Sequence, residues 1–267
     1  MIKIRVIKFG ALAVVVVAFM VTAWMLLLLR NLPTIDMLQS RQVFESTKIY
    51  DRTGKVLLYE IHGEEKRTII PFEEIPDHVK QATIALEDEN FYQRRSAFDL
   101  KSILRAIFVN VLRGKIAQGG STITQQLAKN AFLTAQRTLS RKLKELVLAI
   151  KLERQYSKDE ILDLYLNQIP YGANAYGIEA ASQTYFQKSA KDLTIAEAAL
   201  LASLPKAPSY YSPWGPHNDE LLARKDVVLE KMHQLGFIDE QTKRKSQRYQ
   251  FTFAQKASGI KAPHFVM

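Results

Sequence analysis

Residues 9–29, FGALAVVVVAFMVTAWMLLLL, carry no charged side chain, and no other feature restricts the chain's architecture as strongly. A helix over this 21-residue run, rising ~1.5 Å per residue, is just long enough to cross a hydrocarbon core of about 30 Å. A cleaved signal peptide is the competing reading. The run exceeds the usual apolar region of such a peptide, and its Leu-rich end has no small-residue cleavage pattern before Arg30, so it reads as an uncleaved transmembrane anchor. Lys3, Arg5 and Lys8 precede it, which keeps residues 1–8 in the cytoplasm and sends everything after Leu29 across the membrane.

The rest of the 267-residue chain, 47% apolar overall, is enough for one domain or two small lobes with a sizeable core. A formal net charge of +10 suits a nucleic acid, an anionic membrane surface or a phosphorylated substrate. The extracytoplasmic placement argues against nucleic acid. The chain has no cysteine, so disulfides, thiolate chemistry and cysteine zinc sites are excluded.

Residues 30–75 read as a membrane-proximal linker holding a β-hairpin over Thr47 to Ile61, turning at Asp51-Arg52-Thr53-Gly54. From Pro76 the pattern becomes helical, with Asp77 as the expected N-cap of a helix reaching Glu87. Capping boxes at Ser157/Glu160 and Thr194/Glu197 start two more helices, which stop at Pro170 and Pro205. A proline- and aromatic-rich loop (205–216) and a mixed helical segment from Asp219 to about Gln250 follow, leaving 251–267 as a tail. The stretch Leu100 to Arg113 is apolar with sparse cations, as fits either an interfacial membrane helix or a buried core helix.

Three segments could carry chemistry. Over Arg137 to Ile150, ~100° per residue puts Leu139, Leu143, Leu146, Val147 and Ile150 on one stripe, with Arg137, Arg141, Lys144 and Glu145 opposite. This is either a solvated face or a cationic row for a diphosphate beside an acid or base. Glu87-Asp88-Glu89 ends a helix against Phe91 and Tyr92, which is either a surface turn or a place where burial tunes a general base. Gly119-Gly120-Ser121 opens a helix that Ser121 could cap, and a helix start favours an anion that Lys129 would help to hold. Two decoys are set aside. Gly114 and Gly119 have P-loop spacing but Gly120 stands where the lysine belongs, and Ser258-Gly-Ile-Lys261 has no Lys-Thr-Gly partner motif.

Taken in order, EDENF at Glu87, GGSTITQQLAKN at Gly119, RTLSRKLKE at Arg137, ERQYSKDEILDLYLN at Glu153, YGANAYGIEAAS at Tyr171 and LTIAEAALLASLPKAPSYYSP at Leu193 resemble the family 51 peptidoglycan glycosyltransferases. These occur alone or as the first domain of bifunctional penicillin-binding proteins. The resemblance covers roughly residues 40–215 and implies a mainly α, lysozyme-like helical domain over 76–250. It also implies a small membrane-associated jaw lobe at Leu100 to Arg113, preceded by the transmembrane helix and the hairpin. It further implies polymerisation of lipid II into β-1,4 glycan strands, with inversion and release of undecaprenyl diphosphate. Glu87 then corresponds to the base and Glu145 to the residue that assists the diphosphate or positions the donor. Ser121, Gln126, Lys129, Arg137, Arg141 and Lys144 correspond to the phosphate contacts.

The implied partners are lipid II, the growing glycan strand, membrane lipid and proteins of cell-wall synthesis or division. No cofactor is required, although a divalent cation such as Mg or Mn could aid the diphosphate. One departure stands out. Gln93-Arg94-Arg95-Ser96-Ala97 replaces the family's histidine and glycine and runs one residue longer to Asp99, so the local turn must differ. The end, APHFV, resembles the start of a linker to a transpeptidase domain, and no peptide cross-linking is expected of this chain. A lysozyme-like hydrolase and a catalytically weak wall scaffold are the competing functions.

Overall fold

The computed structural model describes residues 66–94, 121–133 and 138–255, the strands Thr47–Tyr50 and Leu57–Ile61, and a few isolated positions nearer the N-terminus. Most of the 9–29 run, all of 100–113, the 119–120 turn, Arg137 and the residues beyond 255 lie outside the described set. Among the described residues, no helix is long and apolar enough to cross a membrane.

Strands β1 (Thr47–Tyr50) and β2 (Leu57–Ile61) form the expected antiparallel hairpin, with Thr47 opposite Ile61 and Ile49 opposite Tyr59. The described remainder is mainly helical: α1 (Asp77–Glu87), α2 (Ile123–Phe132), α3 (Leu139–Gln155), α4 (Lys158–Gln168), α5 (Ile178–Phe186), α6 (Ile195–Ser203), α7 (Asn218–Gln234) and α8 (Glu240–Gln247). Both capping boxes are formed. Ser157 and Thr194 each accept from the backbone N–H three residues on, while Glu160 and Glu197 reach back to the cap residue.

Three helix starts depart from the sequence reading. Pro76, not Asp77, occupies the cap position of α1, because its restricted φ already gives the extended backbone a cap needs. Asp77 remains in the first turn, where a carboxylate complements the helix dipole. Thr122, not Ser121, caps α2 by accepting from the Gln125 N–H at 3.2 Å. Thr138 caps α3, so that helix begins at Leu139 rather than Arg137.

Helix α6 is buried over nearly its whole surface, as a helix apolar all round must be. Its alanines, at 196, 198, 199 and 202, keep it thin, and it packs against α1 and α7. On the other side α2 packs against α3 and α4. The two groups meet at the C-terminal end of α1.

A small sheet closes one edge, with β3 (Lys66–Arg67) parallel to β5 (Ala175–Tyr176) and β4 (Pro170–Gly172) antiparallel to it. Ala173 and Asn174 link β4 to β5 with φ of 50° and 58°, the two left-handed residues of a tight hairpin turn. The domain takes in residues ahead of Pro76. Beside β3, the Asn167 amide accepts from the Ile70 N–H and donates to the Ile70 carbonyl, each at 3.1 Å, and Ile70 and Ile75 are buried. At the other end Phe251 and Phe253 pack onto the core, and the Ala254 N–H donates to the Tyr185 carbonyl at 2.8 Å.

Candidate active site

The last residue of α1 is Glu87, whose side chain is 13% exposed. Its Oε2 accepts from Gln126 Nε2 at 2.5 Å, and its Oε1 faces Arg224 Nη2 at 3.9 Å. An amide can present either end, and here a second bond selects one. The Tyr165 hydroxyl donates to Gln126 Oε1 at 3.3 Å, which turns the NH2 toward Glu87. Burial, with the Glu87 charge adding to it, pushes the Tyr165 phenol well up, so this hydroxyl keeps its proton. Arg224 is fixed by its Nε bond to the Ser203 carbonyl at 3.1 Å and by the Tyr211 ring beneath it. Its charge reaches Lys206, whose ammonium is shifted downward, first by burial and then by Arg224.

The second glutamate lies on α3. Glu145 is only 2% exposed and is held by Lys142, whose Nζ also donates to Ser121 Oγ at 2.7 Å and Gln125 Oε1 at 3.2 Å. A buried carboxylate needs such a partner. Lys129 lies within electrostatic reach of both glutamates: burial lowers its pKa, Arg141 and Lys142 lower it further, and Glu145 and Glu87 oppose them. Four charged groups therefore act on one ammonium. Arg141 is half-buried, and its Nε finds no hydrogen-bond partner among the described residues.

The expected residues are thus brought together unevenly. Glu87 and Gln126 touch, and Lys129 senses both glutamates and Arg141. Ser121 joins the group through Lys142, while Arg137 lies outside the described residues. Lys144 is half-buried and makes no hydrogen bond or ion pair among the described residues.

The expected core stripe of α3 is also corrected. Its fully buried row is Glu145, Leu148, Ala149 and Leu152, whereas Leu143, Leu146, Val147 and Ile150 are only partly buried. Periodicity identifies two faces but not which one meets a polar site, and α2 packs on the face bearing Glu145. Lys142, Arg224 and Lys206 were not anticipated. Only Lys142 had a local signal, its i, i+3 spacing from Glu145.

Comparison with known proteins gives concordant matches. The family model described as Transglycosylase matches residues 54–233. Penicillin-binding protein 1A of Aquifex aeolicus (strain VF5) is 46% identical over 230 residues, covering 86% of this chain and 31% of that protein. Penicillin-binding protein 1F of Bacillus subtilis (strain 168) is 49% identical over 195 residues, covering 72% of this chain and 26% of that protein. A crystal structure of penicillin-binding protein 1A from Haemophilus influenzae aligns over 80% of this chain and 22% of that one, at 25% identity and a TM-score of 0.47. The chain spans about a quarter to a third of the length of these curated relatives.

Proposed function

The chain belongs to the transglycosylase family, and from that premise we propose that it is a peptidoglycan glycosyltransferase that polymerises lipid II into β-1,4 glycan strands. The observation that carries this reading is that one helix, α2, joins both glutamates: its Gln126 holds Glu87, and its Gln125 shares Lys142 with Glu145. A base and an anion-binding cluster share one site, as transfer from a sugar diphosphate requires.

In the proposed reaction Glu87 accepts the proton of the acceptor sugar's 4-hydroxyl. That oxygen attacks the anomeric carbon of the donor from the face opposite the diphosphate. The C–O bond to the diphosphate breaks as the new glycosidic bond forms, inverting the centre, and the electron pair leaves with the diphosphate. Lys129, Arg141 and Lys142, with Arg137 and Lys144 nearby in sequence, stabilise the charge that develops there. The Nε–H of Arg141, unpartnered among the described residues, suits a phosphate oxygen. Glu145 orients Lys142 and through it the rim at Ser121.

Among the described residues no three metal-ligating side chains gather, and the site carboxylates are engaged by Gln126 and Lys142. A divalent cation that aids the reaction would arrive with the diphosphate. The proposal extends to a lysozyme-like helical lobe, a membrane-associated jaw at 100–113, and a single-pass anchor at 9–29 holding the domain outside the cytoplasmic membrane.

A glycan hydrolase also uses carboxylates, but its leaving group is a sugar hydroxyl, which needs a proton donor rather than a cluster of cations. The two are separated by giving the purified chain, in detergent, lipid II or preformed glycan. Lengthening of the first and no shortening of the second is expected, with Lys129→Met lowering elongation at least tenfold. Shortening of preformed glycan without elongation refutes the proposal.

A further inference from the structure

The turn after Glu87 is where this chain departs from its family's pattern, and there Arg94 folds back onto the motif it follows. Its Nη1 and Nη2 donate to the two oxygens of Asp88 at 2.6 and 2.7 Å, a parallel two-bond fork. Both side chains are nearly buried, at 9% and 6% exposure, so water competes little for either. Asp88 Oδ2 also accepts from the Ile123 N–H at 3.2 Å, the first residue of α2 and one of the N–H groups its own helix leaves unpaired. Three residues on stands Gln126, whose amide holds Glu87.

The surroundings support a rigid clamp. Arg94 Nη2 lies 3.9 Å from Glu153 Oε1, which accepts from Thr124 Oγ1 at 2.7 Å and pairs with Lys158 at 3.0 Å. Between Arg94 and Glu87, Phe91 is fully buried under the Lys158 ammonium, and the Tyr92 hydroxyl donates to Asp159 at 2.7 Å. The turn is therefore tied to α2, α3 and α4 together.

We propose that Arg94 is a positioning residue for the transfer reaction: it locks Asp88 onto the first turn of α2, and so fixes the geometry at which Gln126 holds Glu87. The altered turn is then a working substitute, in which a guanidinium supplies the connection that sets the base. The inference rests on the polymerase reading given above. A lysine at this position keeps the charge but cannot make the two parallel bonds.

The test compares wild-type, Arg94→Ala and Arg94→Lys chains elongating lipid II in detergent, below the unfolding midpoint of each. Misplacing a reacting group by about 1 Å costs on the order of 10²-fold in rate. The expected result is a kcat loss of about 10- to 100-fold for both variants, with KM within about twofold, because the clamp acts on the base rather than on binding. Added guanidinium ion should restore part of the Arg94→Ala rate, and Arg94→Ala should cost nothing further in a Glu87→Gln background. Hydrogen exchange gives a readout independent of turnover: the Ile123 amide should exchange faster in Arg94→Ala while the amides of α6 stay protected. A folded Arg94→Ala chain with wild-type kcat, full activity in Arg94→Lys, or a loss that only tracks unfolding overturns the inference. A wild-type chain that elongates nothing, while Ile123 exchange still responds to Arg94→Ala, overturns the polymerase reading instead, and the positioning role of Arg94 in that reaction with it.

Discussion

Replacing Lys142 with methionine keeps most of the side chain's length and removes only its charge and its donors. Glu145, with 3% of its side chain exposed, then loses its cation, while Ser121 and Gln125 lose a shared hydrogen-bond donor. Breaking a fully buried pair costs about 3–5 kcal/mol. Lys142 is 48% exposed, so water can partly replace it, and the cost falls to about 1–3 kcal/mol. For a domain of this size each kcal/mol moves the midpoint by roughly 2–4 °C, so a drop of about 2–12 °C is expected. Circular dichroism melts in detergent read it directly. The double variant Lys142→Met/Glu145→Gln should recover most of the loss, because a neutral amide no longer needs the ammonium. A single variant within about 1 °C of wild type, or a double variant no better than the single, refutes the account of why Glu145 is buried.

Further expectations follow from other parts of the molecule. Gly172 has φ of +91°, and an added Cβ would lie 2.7 Å from the Pro208 carbonyl oxygen, so Gly172→Ala should lower stability by more than about 2 kcal/mol in urea unfolding. Glu240 is held down at about 2 by Lys243 and Arg244. A depressed folded-state value gives stability that is full above the ordinary 4.5 and is lost as pH falls through about 2, so Glu240→Gln should flatten the acid limb of a stability profile in that window. Burial places the Lys129 ammonium below the usual 10.5, and a bound diphosphate would draw it back up. Affinity for undecaprenyl diphosphate should therefore fall as pH rises through the lowered value, and Lys129→Met should remove that dependence in a titration.

Local chemistry was legible in the sequence, and relations between distant segments were not. Ser157/Glu160 and Thr194/Glu197 each complete their capping boxes within four residues, and both formed as expected. The hairpin over Thr47 to Ile61 is similarly local. The same holds for α4, which ends one residue before Ile169, whose backbone is extended as a residue preceding proline prefers.

The inward face of α3 could not be read, because its leucine stripe is the stronger apolar signal while the buried row carries a glutamate that Lys142 helps make tolerable. The β3 strand has two residues and pairs with one more than a hundred positions away, so no periodicity marks it. Arg94 looked like a disruption of the motif. Only the fold shows its fork on Asp88 and the Ile123 N–H on the same carboxylate.

In the proposed reaction Glu87, set by Gln126 and facing Arg224, is the base of a glycan polymerase. This role is tested most directly by lipid II elongation with Glu87→Gln, an isosteric change that leaves the fold's contacts nearly intact. The expected result is a loss of about 10²- to 10⁴-fold in kcat, with lipid II still bound and the unfolding midpoint close to wild type. A Glu87→Gln chain that elongates glycan at the wild-type rate contradicts it.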